Sequence, residues 1–560
     1  MAVLRPDQAI GTTGGSGGRR ASTAAAPYGG AVDDLIRRET GRRPDPRPWL
    51  LRSLAVLAVL ALLAGACSDD DIDDAGPDPT SGIDEASDDT DESDGDEGDD
   101  PTAPGRIDWS MAGSLHRGTL QVPLDHDNPE GDTIELALAR RPAADPDARI
   151  GAILVNPGGP GGSGLDLAGL FGFLFPSDIR DRFDLLTWDP RGVGESTEVR
   201  CGDGEFMDRF AAADPVPPTP EAEAEVEELM RTFAELCERD AGDLLPHIHT
   251  EASARDMDSI RAALGDDQIS YVGFSYGTVL GATYAELFPD RVRAFVLDGA
   301  YPRSLPTAEV SSGQAMGFER ALEAWFEWCR PETCSFASSG DPRADFDQLV
   351  EAIRARPLPT DDSDGRDLTV GLAWTGVLAA LYSPELWSQL DRGLTQARDA
   401  KEGTSLLLLA DYYLERSPGA EYSSLHYAFW TYNCMDAPAP TPAEEQEAVE
   451  RVLEVAPRVG PVFVSAPSPC EFWPVEATGS TEPFDIPDTP PILVIATTGD
   501  PATPYEWGVQ LADELDTAHL LTVDGEGHTA FGAGNPCVDG TVEAYLIELE
   551  LPDEGFECAA

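Results

Sequence analysis

Eight short apolar runs constrain the fold of this chain most strongly. They cover residues 119–122, 133–139, 151–155, 184–188, 269–273, 294–297, 492–497 and 520–523. The first two alternate like a half-buried hairpin, whereas the other six are continuously apolar, as in strands buried on both faces. Helical patterns separate most of the runs. This alternation predicts an α/β protein with a doubly wound, mostly parallel sheet that binds ligands at the carboxyl ends of its strands.

Two segments interrupt the alternation. Residues 200–250 form an insertion with an acidic helical pattern near 221–239, and residues 300–480 form a long helical block rich in Trp and Tyr. A block of this size between two sheet strands is best interpreted as a cap over the strand ends. The strands before and after it are the sixth and seventh of the eight.

Residues 273–277 (GFSYG) fit the pattern G-x-S-x-G, and so do residues 14–18 (GGSGG). The second match lies in a Gly/Ser-rich head, a composition typical of flexible chain. The first follows an apolar run and precedes a helical pattern, which is the strand–turn–helix context that a nucleophile elbow requires. We therefore predict that Ser275 is a nucleophile; the alternative is a serine in a structural turn.

A serine hydroxyl is a weak nucleophile that needs a base, and an acid must orient that base. Of the seven histidines, His528 follows the last strand and so reaches the carboxyl edge of the sheet. Two acids end strands after Ser275, namely Asp298 and Asp500. Asp500 follows the seventh strand and is the predicted acid. Asp298 remains the alternative, and otherwise would be a structural residue that holds the cap entrance.

Acyl transfer also needs two N–H donors for the oxyanion. One would be the backbone N–H of Tyr276, the residue after the nucleophile. The other is expected from the glycine-rich loop 156–164 (NPGGPGGSG), with Gly159 as the best single candidate. A flexible linker or a phosphate-binding loop is the other interpretation, but the spacing fits neither G-x-x-x-x-G-K nor G-x-G-x-x-G followed by an acid. No metal or cofactor is expected.

The motifs together resemble the branch of α/β-hydrolases that contains proline iminopeptidases and bacterial tripeptidyl aminopeptidases. The matches are NPGGPG at 156–161, VPLDH at 122–126, WDPRGVGES at 188–196, VLDGAYP at 296–302, GDPATP at 499–504 and GHT at 527–529. The resemblance spans about 106–558. It implies a serine exopeptidase in which acidic cap residues pair with the α-ammonium of a peptide.

The N-terminal segment indicates export. Residues 54–66 form a 13-residue apolar run, too short for a bilayer span of about 20 residues but typical of a signal peptide. Residues 64–67 (AGAC) resemble a bacterial lipobox, which predicts lipidation at Cys67; an ordinary secretion signal is the alternative. Residues 68–105 hold 17 acidic and no basic residues up to position 100, and we expect a disordered linker there.

The charge of the chain restricts which molecules it can bind, and its cysteine content indicates disulfides. The net charge is −65, and residues 106–560 still hold 81 acidic against 29 basic residues, which disfavours nucleic acid and anionic lipid headgroups. Eight further cysteines suggest four disulfides in an exported domain. Eight cysteines permit 105 pairings, and sequential pairing is the simplest, namely Cys201–Cys237, Cys329–Cys334, Cys434–Cys470 and Cys537–Cys558.

The predicted organisation is a signal segment with a lipobox (1–67), a linker (68–105), an α/β-hydrolase core in two parts (106–300 and 481–560) and a helical cap (301–480). The predicted function is a secreted, lipid-anchored serine exopeptidase that releases short, tripeptide-like N-terminal peptides outside the cell membrane. An esterase or lipase of the same fold and a non-catalytic solute-binding lipoprotein are the alternatives.

Overall fold

A computed structural model describes residues 105–486 and 489–559 of the chain. The proposed signal segment, Cys67 and the acidic linker up to residue 104 lie outside these ranges. Within the described residues, every helix is too short or too polar to cross a bilayer.

Ten strands of the described chain form one sheet, and two more form a small hairpin. The strands are β1 (Ser110–Ala112), β2 (Leu115–Pro123), β3 (Thr133–Arg141), β4 (Gly151–Asn156), β5 (Phe183–Trp188), β6 (Ile269–Phe274), β7 (Val292–Asp298), β8 (Arg416–Ser417), β9 (Glu421–Tyr422), β10 (Leu493–Gly499), β11 (His519–Glu526) and β12 (Glu557–Ala559). Their order in the main sheet is β1-β2-β3-β5-β4-β6-β7-β10-β11-β12, and β8 pairs with β9.

The main sheet is antiparallel at one edge and parallel elsewhere. The pairs β1–β2, β2–β3 and β3–β5 are antiparallel, while β5, β4, β6, β7, β10, β11 and β12 run parallel. Every residue of β4, β5 and β6 is buried. These central strands carry helices on both faces, which explains why their sequences are continuously apolar rather than alternating.

The prediction of eight strands is wrong in number. All eight apolar runs are strands of the sheet, but β1 and β12 extend it at its two edges. Both added strands have three residues, and β1 is fully exposed while β12 buries only its central Cys558. Such short edge strands bury too little apolar surface to leave a periodic signal in the sequence.

Helices lie between the strands and in the two inserted segments. Those beside the sheet are Gly164–Ala168, Phe171–Leu174, Ser177–Arg182, Thr250–Leu264, Tyr276–Leu287, Tyr505–Glu514 and Pro536–Glu548. The segment between β5 and β6 adds Gly204–Ala212 and Pro220–Ala241. The segment between β7 and β10 adds Thr307–Trp328, Pro342–Ala355, Val370–Leu381, Trp387–Thr395, Thr404–Leu414, Leu425–Asp436, Pro442–Val455 and Gly460–Val464.

The helical segment between β7 and β10 contacts the loops at the carboxyl ends of the strands. The carbonyl of Tyr382 accepts a hydrogen bond of 2.8 Å from the backbone N–H of His528. A Cβ atom placed on Gly161 would lie 2.5 Å from the carbonyl oxygen of Leu425, so the glycine-rich loop touches the start of helix Leu425–Asp436. These contacts bring the inserted helices against the edge of the sheet where the predicted site residues lie.

A buried ion pair fixes the loop after β5. The guanidinium of Arg191 and the carboxylate of Asp256 are both fully buried and lie 2.7 Å apart. Arg191 also donates to the carbonyls of Leu124 and His247, and His126 Nε2 lies 2.9 Å from Asp256. Through Arg191, the motif at 188–196 thus connects three segments of the chain: the loop after β2 at Leu124, the segment at His247, and helix Thr250–Leu264 at Asp256.

Four disulfides join the described cysteines in sequential order. They are Cys201–Cys237, Cys329–Cys334, Cys434–Cys470 and Cys537–Cys558, the same four pairs that sequential pairing predicts. The first ties the loop after β5 to helix Pro220–Ala241, and the last ties helix Pro536–Glu548 to β12.

Candidate active site

Ser275 occupies the turn between β6 and helix Tyr276–Leu287. Its backbone has φ 54° and ψ −122°, a conformation that side chains other than glycine rarely adopt. The hydrogen bond from the Ser275 N–H to the carbonyl of Asp298, 2.8 Å long, holds the turn against the end of β7. The serine therefore stands on a strained turn at the carboxyl edge of the sheet, ahead of a helix N-terminus that favours negative charge.

Two glycines make this turn possible. A Cβ atom on Gly273 would lie 2.4 Å from the carbonyl oxygen of Gly277, so the elbow has no space for a side chain there. A Cβ atom on Gly158 would lie 2.4 Å from the carbonyl oxygen of Phe274 and 3.0 Å from Cβ of Ser275. The glycine-rich loop therefore packs its bare backbone directly against the nucleophile turn.

His528 and Asp500 form a hydrogen-bonded pair. Nδ1 of His528 lies 2.8 Å from Oδ2 of Asp500 and 3.0 Å from its Oδ1. Asp500 is 1% exposed and also accepts hydrogen bonds from the backbone N–H groups of Ala502 and Thr503. The carboxylate is fixed by the chain that follows β10, and it holds the imidazole with Nδ1 toward the acid and Nε2 free to face a reacting group.

The environment of His528 favours its protonated form. Burial alone would lower its pKa, but the negative charge of Asp500, the hydrogen bond to that carboxylate and the charge of Asp298 outweigh burial, so the pKa is raised above 6.5. Such an imidazole is a stronger base than an ordinary histidine. The arrangement suits a group that takes up a proton during the reaction.

Asp298 has a different contact set from Asp500. Its Oδ2 accepts hydrogen bonds from the backbone N–H groups of Ala530 (2.9 Å) and Phe531 (2.8 Å), and no hydrogen bond joins it to the imidazole. Burial raises its pKa to about 6. Asp298 therefore has structural contacts, and its side chain holds the loop just after His528.

Ser275 and His528 both lie beside residues 298–299, at the end of β7. Ser275 bonds to the carbonyl of Asp298, and a Cβ atom on the next residue, Gly299, would lie 3.0 Å from Cε1 of His528. Residues distant in sequence, from the ends of β6, β10 and β11, are thus gathered around the end of β7. The structure brings all three predicted side chains to one edge of the sheet.

The glycine-rich loop leaves few candidates for the second oxyanion donor. The N–H of Gly158 donates to Oδ1 of Asn156, and the N–H of Gly162 donates to the carbonyl of Gly158. Both groups are therefore occupied, whereas the N–H groups of Gly159 and Gly161 have no hydrogen-bond partner among the described residues, and Gly159 stays the expected donor beside Tyr276. These two donors remain a prediction.

Two contacts around the pair were not anticipated from the sequence. The carbonyl of Tyr382 accepts the backbone N–H of His528, and the two rings lie edge to face with centroids 5.5 Å apart. The hydroxyl of Thr503 donates to Oδ2 of Asp500 at 2.9 Å. A Thr three residues after the acid gives a local signal, whereas Tyr382 lies 146 positions before His528 and gives none.

A cavity of about 1190 Å³ adjoins the elbow between the core and the inserted helices. Tyr276, the residue after the nucleophile, is part of its wall, although Ser275, Asp500 and His528 are not. Eight carboxylate side chains line it, against the single arginine Arg303. The cavity is therefore acidic and is large enough for several residues of a peptide.

The described residues 105–486 and 489–559 contain no group of three or more His, Cys, Asp or Glu side chains placed to hold a metal ion.

The fold, with a serine on a strained strand–helix turn and a histidine bonded to a buried carboxylate, defines a class of protein. The chain is a serine hydrolase of the α/β-hydrolase fold.

Comparison with known proteins agrees with this class. Residues 456–558 match the family model described as "TAP-like protein", and this range contains both Asp500 and His528. Serine protease Hip1 of Mycobacterium tuberculosis is 38% identical over 462 residues, which cover 80% of this chain and 88% of that protein. Carboxylesterase B of M. tuberculosis is 40% identical (81% and 88% covered), and tripeptidyl aminopeptidase of Streptomyces lividans is 30% identical (81% and 85%).

The similarity extends over most of both chains in each case. The protein therefore belongs to the α/β-hydrolase family that includes Hip1 and the Streptomyces tripeptidyl aminopeptidases.

Proposed function

We propose that this protein is a serine exopeptidase that releases short peptides from the free N-terminus of a peptide substrate. Ser275 is the nucleophile, His528 the general base and Asp500 the acid that orients it. The observation that carries the proposal is the 2.8 Å hydrogen bond between His528 and Asp500 beside the strained turn of Ser275. The names of the related peptidases supply the substrate class.

The first half of the reaction would form an acyl-enzyme. Oγ of Ser275 attacks the carbonyl carbon of the scissile peptide bond while Nε2 of His528 takes the hydroxyl proton. Asp500 stabilises the resulting imidazolium through Nδ1. Collapse of the tetrahedral intermediate breaks the C–N bond, and the imidazolium gives its proton to the leaving amine. The N-terminal fragment is then an ester of Ser275.

The second half would release that fragment. His528 takes a proton from a water molecule, whose oxygen attacks the ester carbonyl, and Ser275 leaves with the proton that returns from the imidazolium. The N–H groups of Tyr276 and Gly159 would stabilise the oxyanion in both halves. Each such donor typically contributes about 3–4 kcal/mol to lowering the barrier.

The acidity of the cavity supports recognition of a free N-terminus. Four of its eight carboxylates pair with arginines, namely Asp214, Glu227, Glu251 and Glu286. The other four lack a cationic partner among the described residues, and they are Glu223, Asp436, Glu445 and Glu471. An α-ammonium group would supply a positive charge to this surface, which favours peptides with an unblocked N-terminus.

A pair of matched substrates tests the proposal. Peptides of six to ten residues would be incubated with the enzyme in free and N-acetylated forms, and the products identified by mass spectrometry. We expect free peptides to lose short N-terminal fragments and acetylated peptides to remain intact, with no turnover by Ser275→Ala. Equal cleavage of both forms, or cleavage at internal sites, would reject the exopeptidase assignment.

An esterase is the second candidate, and one observation favours it. Carboxylesterase B is 40% identical to this chain, and the same catalytic groups serve any acyl transfer. The two candidates differ in the acyl donor. Hydrolysis of medium-chain p-nitrophenyl esters with a kcat/KM well above that for every free peptide would favour the esterase.

We also propose that the mature chain is exported and anchored through a lipid on Cys67, which would keep the enzyme at the outer face of the cell membrane. The apolar run before Cys67 and the acidic stretch after it support this location. Membrane fractionation of cells that express the wild type or Cys67→Ser tests it. We expect the wild type in the membrane fraction and the variant elsewhere; equal membrane association would refute the anchor.

A further inference from the structure

One face of helix Leu425–Asp436 lines the cavity. Residues at the three- and four-residue spacing of a single helix face form this wall, namely His426, Phe429, Trp430, Asn433 and Asp436. Residues between them, such as Tyr427 and Tyr432, are buried. The helix therefore presents one side to the core and the other side to a molecule that enters the cavity.

This helix is held beside the proposed reaction centre at two points. A Cβ atom on Gly161 would lie 2.5 Å from the carbonyl oxygen of Leu425 and 3.2 Å from the backbone nitrogen of Phe429, so the first turn touches the glycine-rich loop. Farther along, the rings of Tyr432 and Tyr276 lie edge to face with centroids 5.6 Å apart. The helix thus contacts both segments that are expected to supply the oxyanion donors.

The side-chain amide of Asn433 is held in one orientation. Its Nδ2 donates a hydrogen bond of 2.7 Å to the carbonyl of Phe429. A carbonyl oxygen can only accept, so the amide nitrogen faces the helix and Oδ1 is left for another partner. No donor among the described residues bonds to Oδ1, and this oxygen is not sealed in the interior. Asn433 therefore brings an accessible acceptor to the cavity wall.

Trp430 brings an accessible donor to the same wall. Its ring packs edge to face against Phe429, with centroids 5.3 Å apart. The indole Nε1–H can only donate, no acceptor among the described residues bonds to it, and the nitrogen is not sealed. Trp374 also lines the cavity, but its Nε1 is sealed inside the protein. The accessible donor is therefore a property of how Trp430 is placed.

A peptide main chain carries the complement of each group, because every residue other than proline has one N–H donor and one C=O acceptor. Asn433 lies three residues after Trp430, and side chains at this spacing are neighbours on a helix, with Cβ atoms about 5–6 Å apart. A peptide that lies along this face can bond to both side chains. A bound molecule without these groups would leave the donor and the acceptor unpaired, which is a source of specificity.

We propose that Trp430 and Asn433 bind the main chain of the peptide segment on the N-terminal side of the scissile bond. Nε1 of Trp430 donates to a main-chain carbonyl, and Oδ1 of Asn433 accepts from a main-chain N–H. The two residues thereby position the substrate and favour peptides over simple esters. This inference rests on the proposed exopeptidase function, and it is separate from the acidic residues expected to attract the α-ammonium.

Two substitutions remove one bonding group each. Trp430→Phe keeps an aromatic ring without the donor, and Asn433→Leu keeps a side chain of similar size without the acceptor. We expect each to lower kcat/KM for a free tripeptide p-nitroanilide about three- to tenfold, mainly through KM. Hydrolysis of p-nitrophenyl acetate, whose acyl group is too small to reach along the helix, should change less than about twofold. The measured quantity is the ratio of peptide to ester kcat/KM, which a general loss of folded protein leaves unchanged.

Trp374→Phe is the matched control, because it alters another tryptophan of the cavity wall whose Nε1 is sealed. This variant should preserve the ratio of peptide to ester kcat/KM. An equal fall in the ratio for Trp374→Phe and Trp430→Phe would show that any change in the wall has this effect, and it would overturn the role of Trp430. An unchanged ratio in Asn433→Leu would overturn the role of the acceptor.

Tripeptide p-nitroanilides in which one internal N–H is replaced by an ester oxygen identify the group that Asn433 binds. One such replacement should slow p-nitroaniline release by the wild type and have no further effect in Asn433→Leu; equal effects in both enzymes would refute the hydrogen bond. If the wild type cleaves peptides and both variants leave the ratio unchanged, the inference fails while the exopeptidase stands. If the wild type hydrolyses the acetate but no free peptide, the proposed function itself fails.

Discussion

Two carboxylates lie close to His528, the proposed base, and replacing each in turn by Asn gives opposite predictions. In Asp500→Asn the amide oxygen would keep the hydrogen bonds from Ala502 and Thr503, and the amide NH₂ would then face Nδ1 of His528. Two donors cannot bond to each other, so the imidazole is expected to move its proton to Nε2. A ring in that tautomer has no lone pair on Nε2 with which to take the proton of a serine hydroxyl.

The expected loss for Asp500→Asn is therefore large. The same change in a serine protease triad lowers kcat about 10⁴-fold, which corresponds to about 5.4 kcal/mol at 1.36 kcal/mol for each tenfold change. KM should change little, because the carboxylate is buried behind the histidine and does not line the cavity.

Asp298→Asn should be mild by the same reasoning. The amide oxygen of Asn, placed where Oδ2 lies, would still accept hydrogen bonds from the N–H groups of Ala530 and Phe531. The amide NH₂ would occupy the position of Oδ1, which is buried and has no hydrogen-bond partner among the described residues. We expect kcat to fall less than about tenfold, because the loop that carries His528 keeps both of its bonds.

Steady-state kinetics on a free tripeptide amide measure both variants, with Ser275→Ala as the background and circular dichroism to show that each is folded. A loss in Asp298→Asn that equals or exceeds the loss in Asp500→Asn would refute the assignment of Asp500 as the acid.

Three further predictions concern pH and stability. Because the base acts only when neutral and the pKa of His528 is raised above 6.5, kcat/KM should fall as the pH drops through that raised value; a pH profile with an acid limb below about 6 would contradict it. Asp256→Ala leaves the buried Arg191 unpaired and should reduce the free energy of unfolding by about 3–5 kcal/mol in urea melts, whereas a change under about 1 kcal/mol would show that the pair is dispensable. Replacing both Cys434 and Cys470 by Ser removes a disulfide between residues 36 apart and should lower the free energy of unfolding by about 4 kcal/mol. Replacing Cys329 and Cys334, which are five residues apart, should lower it by about 2 kcal/mol. The reverse order would refute the argument that the longer loop gives the larger stabilisation.

The sequence predicts the parts of this molecule that local pattern determines. Six continuous apolar runs correspond to the buried parallel strands, and the two alternating runs correspond to the antiparallel strands β2 and β3. The strand–turn–helix around Ser275 is likewise encoded within a dozen residues. The edge strands β1 and β12 are missed because each has only three residues, and with Cys558 as their only buried residue they carry no periodic pattern.

The division of labour between Asp298 and Asp500 depends on tertiary contacts instead. Both acids end parallel strands, so the sequence allows either to be the acid that orients the histidine. It favours Asp500 only by its position in the chain, after the seventh predicted strand. Which carboxylate reaches the imidazole is decided by the loop after His528, whose N–H groups at 530 and 531 occupy Asp298. The carbonyl of Tyr382 that fixes the same loop comes from the inserted helices, where no local signal marks it.

Labelling with a fluorophosphonate tests the central claim most directly, because the reagent reacts only with a serine hydroxyl that a working base activates. Intact-mass measurement followed by peptide mapping should find one phosphonate per chain, located on Ser275. Labelling should be absent in Ser275→Ala and should become far slower in His528→Ala. A phosphonate on another residue, or an unlabelled wild-type chain that is folded, would contradict the account.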